Sequence, residues 1–229
     1  TGAPIVVKAD GLAAGKGVVV AMTIEEANAA VEDMLRGNRF GDAGSTVVIE
    51  EFMEGEEASL LAFVDGKTVV PMIASQDHKR IFDGDKGPNT GGMGTYAPAP
   101  VLTNALRDEA MKTILEPMIA AMEKEGMPYV GCLYAGLMIT PQGPKVVEFN
   151  ARFGDPETQV VLPLLDSDLG QIMMACATGT LTADMVKWKD SSAACVILAS
   201  KGYPEISSKG DVIHGDIKQH DTTIVFHSG

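Results

Sequence analysis

The sequence is poor in aromatic residues and in basic residues. Aromatic side chains make up 5% of the 229 positions, and 18 Lys and Arg stand against 31 Asp and Glu, for a formal net charge of −13. Such a chain is a poor candidate for binding nucleic acid through bulk charge or base stacking. An anionic ligand would therefore need a local device, such as a few placed cations, glycine-loop amides or a metal ion.

The sequence also lacks long apolar runs and paired cysteines. No apolar run approaches the roughly 20 residues that cross a bilayer, so we predict no membrane association. The odd number of cysteines, without close pairs, argues against a disulfide scaffold or a zinc site. Each cysteine has apolar neighbours, which predicts reduced core residues at Cys132, Cys176 and Cys195. No signal-peptide pattern is present, and we expect a cytoplasmic protein.

The two ends suggest a piece of a longer protein. The chain begins at Thr1 without Met and stops at Gly229, just after a strand-like segment.

Apolar periodicity predicts a mixture of strands and helices. Thr23 begins a capping box, Thr103 caps a long helix to about residue 124, and Gly179 ends a helix over 166–177. Residues 75–100 hold five of the 25 glycines between Gly84 and Gly94, which predicts one long loop. The predicted strands cover residues 5–8, 16–22, 46–52, 58–64, 68–73, 132–139, 145–149, 193–199 and 223–226.

The first candidate motif joins two strands through a loop of small residues that carries Lys8 and Lys16. Glycine lets backbone amides approach phosphate oxygens, and each lysine adds a point charge. The loop is not a Walker A motif, because three residues separate Gly11 from Gly15 and Gly17 follows the lysine. It is not a dinucleotide fingerprint either, since a strand follows. A plain hairpin with solvated lysines remains an equal alternative.

The second motif lies at the end of an apolar strand. Glu50 and Glu51 could accept hydrogen bonds from an adenine amino group and from ribose hydroxyls, and Met53 beside Phe52 could pack on a base. A solvated strand end is the alternative.

The third motif runs from Ser75 to Gly94 and is polar, basic and rich in glycine. Backbone amides with Lys79 and Arg80 could hold a phosphate or a carboxylate. A mobile surface loop is the alternative.

The fourth motif places Glu148 and Asn150 two positions apart on a strand, so both side chains face one way. Two oxygen ligands on one face suit Mg²⁺, which completes its shell with phosphate and water. Arg152 shares this parity if the strand continues. The alternative is a polar sheet face without a ligand.

Taken together, the motifs resemble the ATP-grasp superfamily, and three strings narrow the resemblance. Residues 8–18, 87–94 and 148–158 read Lys-Ala-Asp-Gly-Leu-Ala-Ala-Gly-Lys-Gly-Val, Gly-Pro-Asn-Thr-Gly-Gly-Met-Gly and Glu-Phe-Asn-Ala-Arg-Phe-Gly-Asp-Pro-Glu-Thr. They resemble the glycinamide ribonucleotide synthetase family of purine biosynthesis. The resemblance covers nearly the whole chain.

The resemblance implies an α+β protein with the ATP-grasp fold, in which antiparallel sheets pack with helices and hold the nucleotide between them. It implies an incomplete ATP-grasp domain over 1–188 and the start of a small β-rich C-terminal domain over 189–229. The implied enzyme is an ATP-dependent ligase that joins glycine to 5-phosphoribosylamine, with Mg²⁺ or Mn²⁺ and without a nucleic-acid or membrane partner. A monomer is expected.

The family's site residues transfer position by position. Lys8 would contact the nucleotide, Glu57 would hold the ribose, and Glu148 with Asn150 would bind the metal. Further nucleotide contacts would come from Ala14, Gly15, Lys16, Gly17, Glu50, Glu51, Phe52 and Met53. The glycine and sugar-phosphate side would be lined by Asp77, Lys79, Arg80, Asn89, Thr90, Gly91, Gly92, Met93, Gly94, Arg152 and Asp155.

One departure from the superfamily pattern concerns the metal. Many ATP-grasp enzymes carry another acidic ligand on the preceding strand, and Leu133–Met138 contains no acid. Two alternatives to the ligase remain open, namely another ATP-grasp carboxylate–amine ligase and a non-catalytic ATP-binding module.

Overall fold

The computed structural model describes residues 2–11, 17–36, 44–215 and 222–228. The chain divides into two compact units, Thr1–Glu54 and Gly55–Gly229. Both contain antiparallel sheets and helices, as the α+β prediction requires. The domain boundary expected at residue 188 stays a prediction.

The first unit is a three-stranded antiparallel sheet with one helix. Strand β1 (Ile5–Ala9) lies in the centre, between β2 (Val18–Ala21) and β3 (Val47–Glu51). Helix α1 (Ile24–Arg36) covers one face of this sheet, where Val7 packs with helix residues.

The predicted cap of helix α1 is confirmed. The Thr23 hydroxyl accepts a hydrogen bond from the Glu26 N–H at 3.2 Å, and the Glu26 carboxylate accepts one from the Met22 N–H at 2.7 Å. These bonds satisfy N–H groups that the helix itself leaves without partners.

The second unit is built on a four-stranded antiparallel sheet in the order β11-β10-β4-β5. A shorter sheet has the order β12-β9-β6, and β7 pairs with β8. The strands are β4 (Glu56–Asp65), β5 (Val69–Pro71), β6 (Gln76–Asp77), β7 (Arg80–Phe82), β8 (Lys86–Asn89), β9 (Gly94–Ala97), β10 (Val130–Thr140), β11 (Gly143–Asn150) and β12 (Ala193–Val196).

Helices of the second unit cover both faces of its larger sheet. Leu61 and Phe63 face a core that includes helix α5, whereas Leu60 and Val64 face a core that includes α2 and α3. Successive strand residues point to opposite faces, and both faces are covered. Strand β4 is therefore buried continuously from Ala58 to Val64. The helices are α2 (Asn104–Ala110), α3 (Glu116–Lys124), α4 (Thr158–Val161) and α5 (Leu169–Thr178).

The helix ends largely follow the sequence signals. Thr103 caps α2, which continues through a π-helical turn, Met111–Leu115, into α3. Helix α5 begins after its cap Asp168, a turn later than predicted, and ends at Gly179 with φ 69°. Glycine is favoured there because a left-handed conformation strains residues with a Cβ.

The prediction of one long loop over residues 75–100 was wrong. Four short strands, β6 to β9, form there, and glycines with positive φ at Gly84 and Gly92 lie in the turns between strands. The predicted strand over 193–199 ends at Val196, and residues 223–226 do not form a strand.

The cysteines are as predicted. All three are free, with Cys132 and Cys176 buried and Cys195 partly buried. No helix among the described residues is both long and apolar enough to span a bilayer.

Candidate active site

The first unit presents one open sheet face with a charged pair. Lys8 lies opposite Val18 and Val48, and Val6 lies opposite Val20 and Glu50. Cross-strand partners share a face of the sheet, so these six residues form one face, and helix α1 covers the other. The three outer valines stay substantially exposed, and Lys8 Nζ lies 2.5 Å from Glu50 Oε2.

This open face combines an apolar strip with a cation and an anion. The valine side chains can pack on a flat base, and the charged groups can meet its amino group and the phosphates. We call the six residues the valine face.

The other predicted nucleotide contacts of this unit divide into four groups. Glu51 lies opposite Ile5, on the sheet face away from Glu50, so the two carboxylates do not converge. Phe52 and Met53 follow β3 and are half-buried. Gly17 is buried and its carbonyl accepts a hydrogen bond from the Ala9 N–H at 2.8 Å. The predicted contacts Ala14, Gly15 and Lys16 lie outside the described residues.

The second unit brings predicted residues together on one face of its larger sheet. Tyr134 and Gly136 of β10 lie opposite Asn150 and Glu148 of β11. The same β10 residues lie opposite Leu61 and Ser59 of β4, and Glu57 lies two residues further along that face. We call Glu57, Ser59, Tyr134, Glu148 and Asn150 the polar end of the sheet. Further along the strands, the same face carries apolar core residues such as Leu61 and Phe63.

The candidate metal ligands are adjacent. Asn150 Nδ2 donates a hydrogen bond to Glu148 Oε1 at 3.1 Å. The β10 residue opposite Glu148 is Gly136, where an added Cβ would lie 3.3 Å from Glu148 Cγ. A carboxylate and an amide oxygen fit Mg²⁺ or Mn²⁺. Among the described residues, no cluster of three His, Cys, Asp or Glu offers a fuller set, so phosphate and water would complete the shell.

Lys79 joins Glu57 at this polar end. Lys79 Nζ donates a hydrogen bond to Glu57 Oε2 at 2.9 Å. Burial lowers the pKa of Lys79, but the charge and hydrogen bond of Glu57, with help from Glu148 and Asp77, raise it overall. The ammonium group is therefore held charged.

Asp77 is a carboxyl group in an unusual setting. Burial and the charge of Glu157 raise the pKa of Asp77 to about 7, against the opposing charge of Lys79. Its Oδ1 atom is buried without a hydrogen-bond partner. Gly92 packs against it, with φ 127°, and an added Cβ there would lie 2.7 Å from Asp77 Oδ1 and 2.4 Å from Pro156 Cδ.

The glycine-rich segment is held by its own hydrogen bonds. The N–H groups of Thr90 and Met93 donate to the Lys79 and His78 carbonyls at 2.7 and 2.8 Å. The Gly91 N–H donates to the Tyr203 hydroxyl at 2.8 Å, and the Gly92 N–H donates to Thr90 Oγ1 at 3.0 Å. These four amides are therefore engaged within the protein, although we expected them to hold an anion.

The remaining predicted residues of this segment are less buried. Arg80 and Asn89 are exposed, and Arg80 Nη1 donates to the Gly87 carbonyl at 2.7 Å. Gly94 begins β9 and is half-buried.

Arg152 and Asp155 lie after β11 and are exposed. The Arg152 guanidinium lies 6.0 Å from the centre of the Tyr134 ring, and Nη1 donates to the Phe153 carbonyl at 3.0 Å. Asp155 Oδ1 accepts a hydrogen bond from Gln159 Nε2 at 2.6 Å.

Sequence reasoning missed the buried residues Ser59, Tyr134 and Glu157. Glu157 Oε1 accepts hydrogen bonds from Ser59 Oγ at 2.8 Å and from the Tyr134 hydroxyl at 2.9 Å. A weak signal was available, because Ser59 and Tyr134 are polar residues inside apolar strands. Nothing in the local sequence distinguishes a buried Glu157 from a solvated one.

Comparisons with known proteins identify the family of this chain. A family model described as the phosphoribosylglycinamide synthetase ATP-grasp (A) domain matches residues 1–158. A phosphoribosylamine–glycine ligase of Caulobacter vibrioides is 59% identical over 229 residues, covering 99% of this chain and 53% of the relative. One from Escherichia coli O157:H7 is 55% identical over 230 residues, covering 100% of this chain and 54% of the relative.

A solved structure also matches. The crystal structure of a phosphoribosylamine–glycine ligase from Thermotoga maritima superposes with a TM-score of 0.81 at 36% identity, over 90% of this chain and 52% of that chain. The chain spans about half the length of the curated relatives it matches.

Proposed function

The chain belongs to the family of phosphoribosylglycinamide synthetase ATP-grasp domains, and we propose that the whole protein is an ATP-dependent phosphoribosylamine–glycine ligase. The products would be glycinamide ribonucleotide, ADP and phosphate. Its place would be in purine biosynthesis.

The proposed reaction has two steps. An oxygen of the glycine carboxylate attacks the γ-phosphorus of ATP, the bond to the ADP oxygen breaks, and glycyl phosphate forms. The amine of 5-phosphoribosylamine then attacks the glycyl carbonyl carbon, phosphate leaves, and the nitrogen loses a proton. Both steps bring anions or electron-rich groups together, so positioning and charge neutralisation provide most of the catalysis.

In this proposal the valine face binds the nucleotide. The valines pack on the adenine, Glu50 accepts from its amino group, and Lys8 reaches the phosphates.

Glu148 and Asn150 would hold Mg²⁺ or Mn²⁺. When bound, the ion would neutralise phosphate charge. Lys79 and Arg152 would add fixed positive charge for the carboxylate and phosphate groups of the substrates, with Arg80 and Asp155 at the edge.

In this proposal Asp77 would accept the proton that leaves the amine. A carboxyl with a pKa of about 7 is divided between its two forms near neutral pH.

One observation carries the proposal, namely that Glu57, Glu148 and Asn150 share one end of one sheet face, with the charged Lys79 hydrogen-bonded to Glu57. A cytoplasmic location, a monomeric state and the absence of nucleic-acid or membrane partners stay predictions.

The first test is ADP release by a ligase of the relatives' full length that contains this sequence, with the remaining residues taken from the Caulobacter relative. Mg·ATP, glycine and freshly made phosphoribosylamine are omitted in turn. Release that requires all three supports the ligase. Release with another acid or amine would indicate a different ATP-grasp ligase, and bound ATP without release would indicate a non-catalytic module.

The second test concerns Glu148. We expect Glu148→Ala to weaken Mg·ATP binding by roughly 100-fold or more, because one of two protein ligands is lost. Glu116→Ala, at an exposed acid of helix α3, is the control and should bind normally. Unchanged Mg·ATP affinity in Glu148→Ala, measured by calorimetry, would remove Glu148 from the metal site.

A further inference from the structure

Glu157 is a charged side chain at 3% relative exposure, whereas every other charged residue that the structure describes is more exposed. Burial of a carboxylate is unfavourable unless hydrogen bonds compensate for lost water. Arg152 and Asp155, which belong to the proposed site, lie five and two positions before Glu157. The contacts that bury Glu157 can therefore affect the geometry of that site.

The hydrogen bonds of Glu157 come from two residues of the polar end. Ser59 and Tyr134, at 4% and 5% exposure, both reach Glu157 Oε1, and their hydroxyl oxygens are 2.9 Å apart. Each hydroxyl has one proton. When both donate to the carboxylate, neither donates to the other, so the shared acceptor explains their close approach.

The protonation of Tyr134 is consistent with this arrangement. Burial, followed by the negative charge of Glu157, raises the pKa of Tyr134 above its ordinary value. Tyr134 therefore stays a neutral phenol and keeps the proton that it donates.

The fixed Tyr134 ring is the surface next to Arg152. The guanidinium lies 6.0 Å from the ring centre, a distance at which the ring's negative face attracts a cation. Glu157 and Arg152 belong to the same turn after β11, and the turn is tightly packed, since a Cβ on Gly154 would lie 2.4 Å from Glu157 Oε2. One carboxylate thus ties this turn to strands β4 and β10.

We propose that Glu157 is a positioning residue that fixes the Tyr134 ring and, through it, the orientation of the Arg152 guanidinium on the sheet face of Glu148 and Asn150. The proposal rests on the proposed function for the catalytic importance of Arg152. The geometric part does not depend on it.

A double-mutant cycle in the full-length ligase tests the proposal. Arg152→Lys keeps the charge but loses the planar group that packs on the ring. We expect Arg152→Lys and Glu157→Gln each to lower kcat about tenfold, and the double variant to lose little more than either alone. A double loss near 100-fold, equal to the product, would overturn the proposal.

Tyr134→Phe tests the role of the hydroxyl separately from that of the ring. It removes the bond to Glu157 but keeps the aromatic surface, so we expect a kcat loss similar to that of Glu157→Gln. Full kcat in Tyr134→Phe beside a large loss in Glu157→Gln would contradict the link through Tyr134. If Glu157→Gln does not fold, the cycle is run with Tyr134→Phe and Arg152→Lys.

Glu116→Gln is the matched control and should keep wild-type kcat.

A structural readout is independent of ligase activity. In a crystal structure of Glu157→Gln, we expect the Arg152 guanidinium to leave the Tyr134 ring, and an unmoved guanidinium would overturn the proposal. Failure of the proposed function would appear separately, as a wild-type enzyme that shows no ADP release dependent on glycine and phosphoribosylamine.

Discussion

The three-stranded sheet of the first unit and the four-stranded sheet of the second unit are covered differently. In the second unit, helices pack on both faces of the four-stranded sheet, and Leu60 and Leu61 on neighbouring positions of β4 are both fully buried. In the first unit, one helix covers one face of a three-stranded sheet, and Val18 and Val20 on the other face are about half exposed.

The difference shows that apolar residues have two uses in this protein. In the larger sheet they form a core, and the site occupies the end of a face where polar residues replace them. In the first unit's sheet, exposed valines share a face with Lys8 and Glu50, and we propose that this face is a surface for a ligand. Isolated exposed apolar residues need no explanation, but a shared face with a charged pair does.

The sharpest test of this comparison is a pair of truncations. Leu60→Ala should lower the free energy of unfolding of the second unit by about 2–5 kcal/mol, because it leaves a cavity in a covered core. Val18→Ala should lower the free energy of unfolding by less than about 0.5 kcal/mol, since the side chain is already about half exposed. Urea denaturation followed by hydrogen exchange in each unit would measure both. Equal costs would show that the valine face is part of a core.

A second test concerns the charged pair on the valine face. Lys8→Met should raise the Kd of Mg·ATP about tenfold, roughly 1.4 kcal/mol, and leave glycine binding unchanged. The Lys8–Glu50 ion pair is partly exposed, and such a pair contributes about 1 kcal/mol or less to stability, so the thermal midpoint should change little. Calorimetric titration measures the affinity, with Lys67→Met as the control because Lys67 is an exposed lysine of the other unit. A normal Kd in Lys8→Met would separate this face from the nucleotide.

A third test concerns a pH dependence in the second unit. The pKa of Asp77 is raised to about 7, so between about pH 4 and pH 7 the native protein holds a proton there that the unfolded chain has lost. The free energy of unfolding should therefore fall as pH rises through this window. Asp77→Asn should flatten the slope, measured by denaturation at pH 5, 6 and 7. Parallel slopes in both proteins would contradict the raised pKa.

Local rules predicted those parts of the fold that depend on local chemistry. The Thr23 and Thr103 caps and the Gly179 stop follow from the hydrogen bonds that helix ends need. The shared face of Glu148 and Asn150 follows from strand alternation. The identities of the substrates were predicted from the family resemblance alone, because the periodicity of apolar residues carries no information about substrates.

The failures share a physical cause, which is dependence on distant residues. The glycines of residues 75–100 indicate turns, but β9 forms only by pairing with β6 and with β12. Glu157 is buried because Ser59 and Tyr134, 98 and 23 positions away, provide its donors. No local pattern reports such partners.

The hydrogen bond from the Gly91 N–H to the Tyr203 hydroxyl has a consequence for the order of folding. The two residues are 112 positions apart, and β12 joins β9 across a similar distance. Contacts between residues so far apart close late, because a long stretch of chain must be ordered first. During synthesis, strand β4 could find β5 as soon as both emerge, whereas the glycine-rich segment must wait for residues near 200. We therefore expect the glycine-rich segment to be the last part of the second unit to acquire its shape on the ribosome.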